Sequence, residues 1–282
     1  MDSYLHQLTA VILTYKTNLE ILKKCLKSIN PKVKILIVEN SSRFKYLKEI
    51  QSKFSNIEVI CSGSNLGYGG GNNFGLNKVQ TNYALILNPD TKLYPETLNS
   101  FISLANDIKD FAIIGPGIVE GDDLHKITVK QEAKETNTVK GYAMLMNLSQ
   151  FEDIGFFDEN IFFFLEEIDL CKRLKRKNKI IYYSPNIKVH HEGGKSHDNS
   201  YYYEMELSRN WHWMWSTFYY NKKHNGYLIA LLIILPKLFT ATFKFFIYSI
   251  FKNKEKKEIY KQRYLGLINS ILGKTSWYRP KV

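Results

Sequence analysis

The run Tyr83-Ala84-Leu85-Ile86-Leu87 closes on Asn88-Pro89-Asp90-Thr91, and it restricts the fold more tightly than any other stretch. Four consecutive apolar residues read as a strand buried on both faces, as in the middle of a parallel sheet. Pro89 has no amide hydrogen to give a ladder, so the strand ends there and leaves Asp90 just outside its carboxyl end. Ligands of open α/β sheets bind at that edge. A carboxylate so placed can hold a divalent cation against a diphosphate. Equally, the segment is a simple turn in which Asp90 or Thr91 caps a following helix.

The residues before this strand alternate in the same style. Leu8 to Tyr15 is strand-like, and Asn18 is placed to cap a helix with Leu19, Leu22, Leu26 and Ile29 at helical spacing. Val33 to Val38 forms a second strand ending at Glu39-Asn40-Ser41-Ser42; a helix from about Arg43 to Phe54 and a strand from Ile57 to Cys61 follow. This β-α-β-α-β order predicts a mostly parallel sheet with right-handed crossovers, a nucleotide-binding arrangement. Ser62 to Gly75 then carries Asn65, Gly67, Gly70, Gly71, Asn72 and Asn73. So many glycines let backbone approach a ligand closely, and Asn side chains can bond a base or ribose. No Lys-Ser/Thr pair follows, so it is not a P-loop; a surface loop without function is the bland alternative.

Beyond Asp90, Pro95 and Glu96 open a helix to about Asp107, and Phe111 to Val119 reads as a strand broken at Gly115-Pro116-Gly117. The polar run from Glu120 to Asn137 suggests a solvated loop, and Val139 to Met146 a strand in which Gly141 leaves room for a sugar. Gly155-Phe156-Phe157-Asp158-Glu159 and an aromatic run precede a helix opening near Glu166. Glu166, Glu167 and Asp169 suit the first turn of that helix through its dipole. Acids against apolar walls are also where a raised pKa and a general base are expected. Short strands at Ile180 to Tyr183 and Ile187 to Val189 lead into His190-His191-Glu192-Gly193-Gly194. A histidine at a strand end before two glycines is a candidate ligand, although a single histidine is more often structural.

Taken in order, these segments resemble the family 2 glycosyltransferases of GT-A fold, in particular their rhamnosyltransferase-like branch, over about Leu8 to Ser196. The resemblance rests on Thr14-Tyr15, Glu39 to Ser42, Asn65-Leu66-Gly67 through Asn73, Asn88-Pro89-Asp90-Thr91, Gly155 to Glu159, Glu166 to Leu170 and the His-x-Gly-Gly-x-Ser of His191 to Ser196. It implies a nucleoside-diphosphate sugar donor, dTDP-rhamnose ahead of a UDP-sugar, with Mg²⁺ or Mn²⁺ and inversion at the anomeric carbon. By the same resemblance Glu39 reads the base, with Thr14, Tyr15, Asn65, Gly67, Gly71, Asn72, Asn73 and Asn88 also on the substrates; Gly141 in its strand and Arg209 within the aromatic run beyond the resemblance are further substrate candidates from the residues themselves. Asp90 and His191 become metal ligands, with Asn88 in place of the first acid of a reduced DxD motif. Glu167 falls at the base position, supported by Glu166 and Asp169. Glu stands for the family's usual Asp at 39 and 167, and the His190-His191 doublet leaves the ligand open by one residue.

The chain of 282 residues divides, on this reading, into a catalytic domain over 1–200, with a nucleotide-sugar half to about 92 and an acceptor half beyond, and a helical region over 201–282. Cys25, Cys61 and Cys171 lie far apart with no CxxC, which fits a reducing compartment. The N-terminus shows no basic segment before an apolar core, so no signal peptide is expected. Net charge is +12, and from Lys222 onward the only acids are Glu255 and Glu258. Long apolar and aromatic runs accompany that basic excess, which favours an anionic membrane over nucleic acid. Tyr201 to Tyr220 is crowded with aromatics, as a packed helix or as an acceptor or bilayer surface. Gly226 to Phe251 is apolar except for Lys237 and Lys244. It is long enough to span a bilayer, but each lysine near the centre would cost about 2.5–3.5 kcal/mol. A helix lying in the interface is therefore preferred to a span, with a hairpin against the protein as a further option.

The expected protein is a peripheral or monotopic enzyme on the cytoplasmic face of the inner membrane that adds a sugar to a lipid-linked glycan, as in O-antigen or other cell-envelope polysaccharide synthesis. The alternatives are a nucleotidyltransferase acting on sugar phosphates and a non-catalytic membrane-bound glycan-binding module.

Overall fold

Local chemistry sets the first elements of the computed structural model, which describes residues 2–119, 132–191, 193 and 198–281. The chain divides into two units, one of Met1–Phe157 with Leu170–Asp198 and one of Asp158–Asp169 with Asn199–Val282. In the first, β1 (Leu8–Thr14) leads to α1 (Leu19–Lys27), whose cap is Asn18, accepting from the Glu20 and Ile21 amides at 3.0 and 3.3 Å. Next come β2 (Lys34–Glu39), α2 (Leu47–Lys53), β3 (Ile57–Cys61) and α3 (Gly67–Leu76). α2 opens later than its composition predicts, because Ser41 takes the Arg43 amide in a turn (3.4 Å).

β4 (Tyr83–Leu87) carries the central apolar run, and alternate residues of β1 and β4 serve opposite cores. Ala10, Ile12, Leu85 and Leu87 pack in one cluster, while Val11, Ala84 and Ile86 pack in the other. A strand buried on both faces is thus confirmed, with each fully buried Leu or Ile contributing about 1.5–3 kcal/mol. β5 (Thr91–Leu93), α4 (Thr97–Ile108), β6 (Ile113–Val119), β7 (Lys134–Glu135), β8 (Ala143–Asn147), α5 (Glu166–Arg176) and β9 (Ile181–His191) complete the order. The sheet runs β3-β2-β1-β4-β8-β6-β9-β5, with β7 on β9. Its first four strands are parallel, as the alternation predicts. Beyond β4 it turns mixed: β8 lies antiparallel to β4 and β6, and β5 antiparallel to β9.

Two expectations change. The Ile180–Val189 region is one strand, not two, because a bulge between Pro116 and Gly117 accommodates Pro185; a Cβ on Gly117 would lie 2.9 Å from the Pro185 carbonyl oxygen. The glycine-rich stretch is a helix, not a ligand-wrapping loop. In α3 a Cβ on Gly71 would come 2.4 Å from Leu13 Cδ1, and one on Gly75 2.6 Å from Val38 Cγ2 and 2.9 Å from Val11 Cγ1. These glycines let α3 lie directly on β1 and β2. The expected loop over Glu120 to Asn137 lies largely outside the described residues, as do the second glycine and the serine after His191.

In the second unit α6 (Tyr202–Asn225), α7 (Tyr227–Ile250) and α8 (Lys254–Ile271) pack together. Gly266 brings α8 onto α6 so closely that a Cβ would collide with the Trp211 carbonyl oxygen. His212 is buried between Ser276 (Nδ1 to Oγ, 2.9 Å) and the Tyr278 carbonyl (2.8 Å from Nε2), and burial drives its pKa down to about 3. It is therefore neutral, and Nε2 carries the hydrogen. α7 buries Ala230, Ile234 and Ala241 against its neighbours. Leu228, Leu232, Phe239, Phe246 and Ile250 on the same helix are each at least 60% exposed, which leaves an open apolar face.

Gly75→Ala should destabilise the chain by about 1–3 kcal/mol in urea titration, since stiff Val38 and Val11 side chains on central strands cannot yield. A wild-type midpoint would contradict this role of the α3 glycines.

Candidate active site

The parallel half of the sheet ends in a polar edge. Glu39 closes β2 and is buried, receiving Thr14 Oγ1 on Oε2 (2.7 Å) and Ser41 Oγ on Oε1 (2.6 Å). Burial raises its pKa, and the two hydroxyls with the Lys16 charge oppose the rise. Asn40 ties the following segment to this edge. Its amide donates to Asn65 Oδ1 (3.1 Å) and the Gly67 carbonyl (2.9 Å), while its oxygen accepts from the Leu66 amide (2.9 Å). Asn73 is structural: it donates to the Phe157 carbonyl at 2.9 Å and accepts from the Phe157 amide at 3.0 Å. Asn72 donates to the Tyr68 carbonyl, but its Oδ1 is buried without a partner. Gly141 lends its carbonyl to the Tyr68 hydroxyl. Tyr15 donates its amide to Thr17 Oγ1 at 3.1 Å.

Asp90 follows the turn that Pro89 enforces, and Thr91 Oγ1 closes that turn on the Asn88 carbonyl at 2.7 Å. The capping alternative does not apply, since β5 comes next. Pairing of β5 with β9 sets Thr91 opposite His191, and this register brings Asp90 Oδ1 to 3.3 Å from His191 Nε2. Both atoms are buried, and neither has a hydrogen-bond partner among the described residues. They are close enough for charge attraction yet off the line of a hydrogen bond, as two ligands aimed at a common point would be. Tyr142 stacks on the His191 ring at 4.9 Å, and its hydroxyl donates to the Pro116 carbonyl, which fixes the imidazole plane. A carboxylate oxygen and an imidazole nitrogen suit Mn²⁺, with Mg²⁺ also served by the oxygen. Among the described residues no group of three or more His, Cys, Asp or Glu side chains gathers as a metal centre. Remaining positions would fall to diphosphate and water oxygens.

The three acids of α5 differ sharply in surroundings. Asp169 is fully buried and lies 2.7 Å from Lys223 Nζ and 2.8 Å from His224 Nε2. Lys223 also reaches Asp158 Oδ2 at 2.7 Å, and Tyr219 donates to that same oxygen at 2.9 Å. Burial raises Asp158, but bonds from Lys223 and Asn160 outweigh it and hold the carboxyl below its ordinary value. Glu166 is buried with Oε2 unpartnered; desolvation and then the Glu167 charge raise its pKa well above the ordinary value. Glu167 is half-buried beside it. Arg209, on α6, is 3.9 Å from Glu206. Asp158, Tyr219, Lys223 and His224 are participants that sequence reasoning did not place in the site. Tyr219 and Lys223 share one face of α6 by their spacing of four, but nothing local in the sequence ties that face to Asp158 or Asp169.

The fold is that of GT-A glycosyltransferases. It is similar to the Pyrobaculum calidifontis mannosyltransferase PcManGT, solved with GDP-Man and Mn²⁺ (TM-score 0.60, 12% identity, 96% of this chain and 89% of that one). It is also similar to GalNAc-T7, solved with UDP, GalNAc and Mn²⁺ (TM-score 0.58, 13% identity, 75% and 52%). The family model for glycosyl transferase family 2 matches residues 9–170, and the chain belongs to that family. Among its relatives are the low-salt glycan biosynthesis hexosyltransferase Agl10 of Haloferax volcanii (29% identity; 63% of this chain, 64% of that protein) and the rhamnosyltransferase WbbL of Escherichia coli K12 (25%; 71% and 87%). A third is the N-acetylglucosaminyl-diphospho-decaprenol L-rhamnosyltransferase of Mycobacterium tuberculosis H37Rv (22%; 58% and 68%). The chain thus spans just under two thirds of Agl10 (64%) and about half of the GalNAc-T7 chain (52%).

Because folding favours the protonated form of Glu166, its contribution to stability is full in acid and is lost as pH rises above the ordinary glutamate range. Glu166→Gln should therefore raise the Tm by a few degrees at pH 8 and leave it unchanged at pH 4. Equal effects at both pH values would contradict a buried, neutral Glu166.

Proposed function

We propose that this protein is a metal-dependent inverting glycosyltransferase that moves a sugar, rhamnose before other hexoses, from a nucleoside-diphosphate donor to a hydroxyl of a lipid-linked cell-surface glycan. The observation that supports the reading is the Asp90–His191 pair, two buried polar atoms 3.3 Å apart with no hydrogen-bond partner among the described residues, at the carboxyl edge of the parallel strands. Rhamnose is favoured through the names of two of these relatives and dTDP through the resemblance to the rhamnosyltransferase-like branch, and a UDP-sugar is the next choice.

A divalent cation, when bound at Asp90 and His191, would neutralise charge on the departing nucleoside diphosphate. The rest is done by side chains. Glu39, with Thr14 and Ser41 fixing both oxygens, offers a carboxylate at the end of β2 to hydrogen-bond donors of the nucleotide. Glu167 takes the proton of the acceptor hydroxyl as that oxygen attacks the face of the sugar opposite the leaving group. Glu166, neutral beside it, adds no second charge to compete for the proton. Asp169 is held by Lys223 and His224 and serves to position the first turn of α5. The open apolar face of α7 supports attachment to the cytoplasmic surface of the inner membrane; the helix has 24 residues and mean hydropathy 1.9, enough by length and composition to cross one.

Incubation with a panel of nucleotide sugars and Mn²⁺ should reveal hydrolysis of one donor, dTDP-rhamnose first. Glu167→Gln should bind that donor normally and turn it over roughly 10²-fold or more slowly. Wild-type turnover by Glu167→Gln would remove Glu167 as the base, and failure of every donor would sink the reading as a whole.

A further inference from the structure

A cavity in the second unit lies where α7 carries Pro236, enclosed by Trp213, Met214, Lys237, Thr240, Tyr260 and Arg263 among others. Its volume is about 210 Å³, and no carboxylate lines it. Lys237 is half-buried on an otherwise apolar helix and has no partner among the described residues. Arg263 gives Nε to Asn210 Oδ1 at 2.6 Å, and Asn210 is in turn anchored on Glu206 at 2.7 Å. The terminal nitrogens of Arg263 have no further partner among the described residues. Tyr260 accepts from Lys244 Nζ at 3.1 Å, which leaves its own O–H free to donate. Lys244 and Arg263 each sit 5.2 Å from the Tyr260 ring centroid.

Lys237 and Arg263 thus share a cavity with Tyr260, Lys244 reaches the same phenol, and none of the three cations has an ion pair among the described residues. Half-buried as they are, the two lysines on α7 and Arg263 on α8 cost desolvation energy unless an anion completes the arrangement. Around the cavity the surface is apolar and open: Leu235 is 52% exposed, Phe239 72% and Phe243 55%. A soluble anion would gain nothing from those side chains, whereas a lipid would place its phosphate in the cavity and its hydrocarbon along α7. We propose that this cavity is a binding site for the terminal phosphate or diphosphate group of a membrane lipid, held by Lys237, Arg263 and Tyr260. The inference rests on the membrane reading above and gives that surface a specific headgroup contact.

The test compares binding of the full chain to phosphatidylcholine vesicles carrying either phosphatidic acid, a phosphomonoester, or phosphatidylglycerol, a phosphodiester, at matched surface charge. Wild type should prefer phosphatidic acid by about tenfold, the scale of one or two charge-assisted hydrogen bonds. Lys237→Gln and, separately, Arg263→Gln should erase the preference. Lys254→Gln, an equal loss of charge at the start of α8, should weaken binding to both vesicles and keep the ratio. Lys237 contributes no packing partner, so that variant remains informative if Arg263→Gln misfolds. A ratio of one in wild type, or a ratio reduced equally by Lys254→Gln, overturns the proposal in favour of unspecific charge attraction. Inorganic pyrophosphate that binds as tightly as the vesicles and abolishes the ratio makes this a free-phosphate site and overturns the lipid assignment. Hydrolysis of the nucleotide sugar without vesicles should be unchanged in Lys237→Gln. That arm separates the two claims: turnover with no lipid preference rejects the cavity alone, and preference with no turnover rejects the enzymatic reading alone.

Discussion

The pairing of β5 with β9 is the constraint on which the proposed donor site depends. Thr91 stands opposite His191 only in this register, and a slip of one residue would send the histidine to the other face of the sheet. Pro89 ends β4, a three-residue strand resumes at Thr91, and the Asp90 carboxylate is left in the gap between them. Everything around the pair holds it still. Cys25 approaches Thr91 Oγ1 at 3.7 Å, burial raises that thiol to about 12 so that it stays neutral, and Tyr142 fixes the imidazole. Two buried polar atoms brought together with no hydrogen-bond partner among the described residues are costly to a fold. A function that recovers that cost is the economical explanation.

The second unit shows how a cluster of like charges can be divided among roles. Glu166, Glu167 and Asp169 occupy one turn of helix, where three full negative charges would repel. Burial neutralises the first, and Lys223 with His224 compensates the third. Lys223 is shared with Asp158, which also receives Tyr219 and Asn160, so a single lysine near the end of α6 ties the residues before α5 to its first turn. This is why Asp169, though it looks equivalent to Glu167 in sequence, is read as a positioning residue.

Much of the parallel half of the sheet was legible in the sequence because it depends on local rules: a proline that ends a strand, an asparagine that caps a helix, acids at strand ends. The glycine stretch misled for a physical reason. Glycine is needed where backbone approaches anything closely, and at Gly71 and Gly75 the neighbour is Leu13, Val11 or Val38 of the sheet itself. Asn65 and Asn73 likewise serve the protein's own backbone and side chains. The Lys223–Asp169 and His224–Asp169 contacts could not be read, since residues more than fifty positions apart carry no local pattern. The same holds for the mixed half of the sheet, where β8 inserts between β4 and β6 by long-range pairing.

The central claim is that Asp90 and His191 hold a divalent cation together with a nucleoside diphosphate. Electron paramagnetic resonance of Mn²⁺ with the full chain and dTDP tests it most directly, independent of turnover. The account predicts a bound Mn²⁺ signal in wild type that is lost in Asp90→Ala and weakened in His191→Ala, with both variants folded by circular dichroism. Bound Mn²⁺ of wild-type affinity in Asp90→Ala would contradict it.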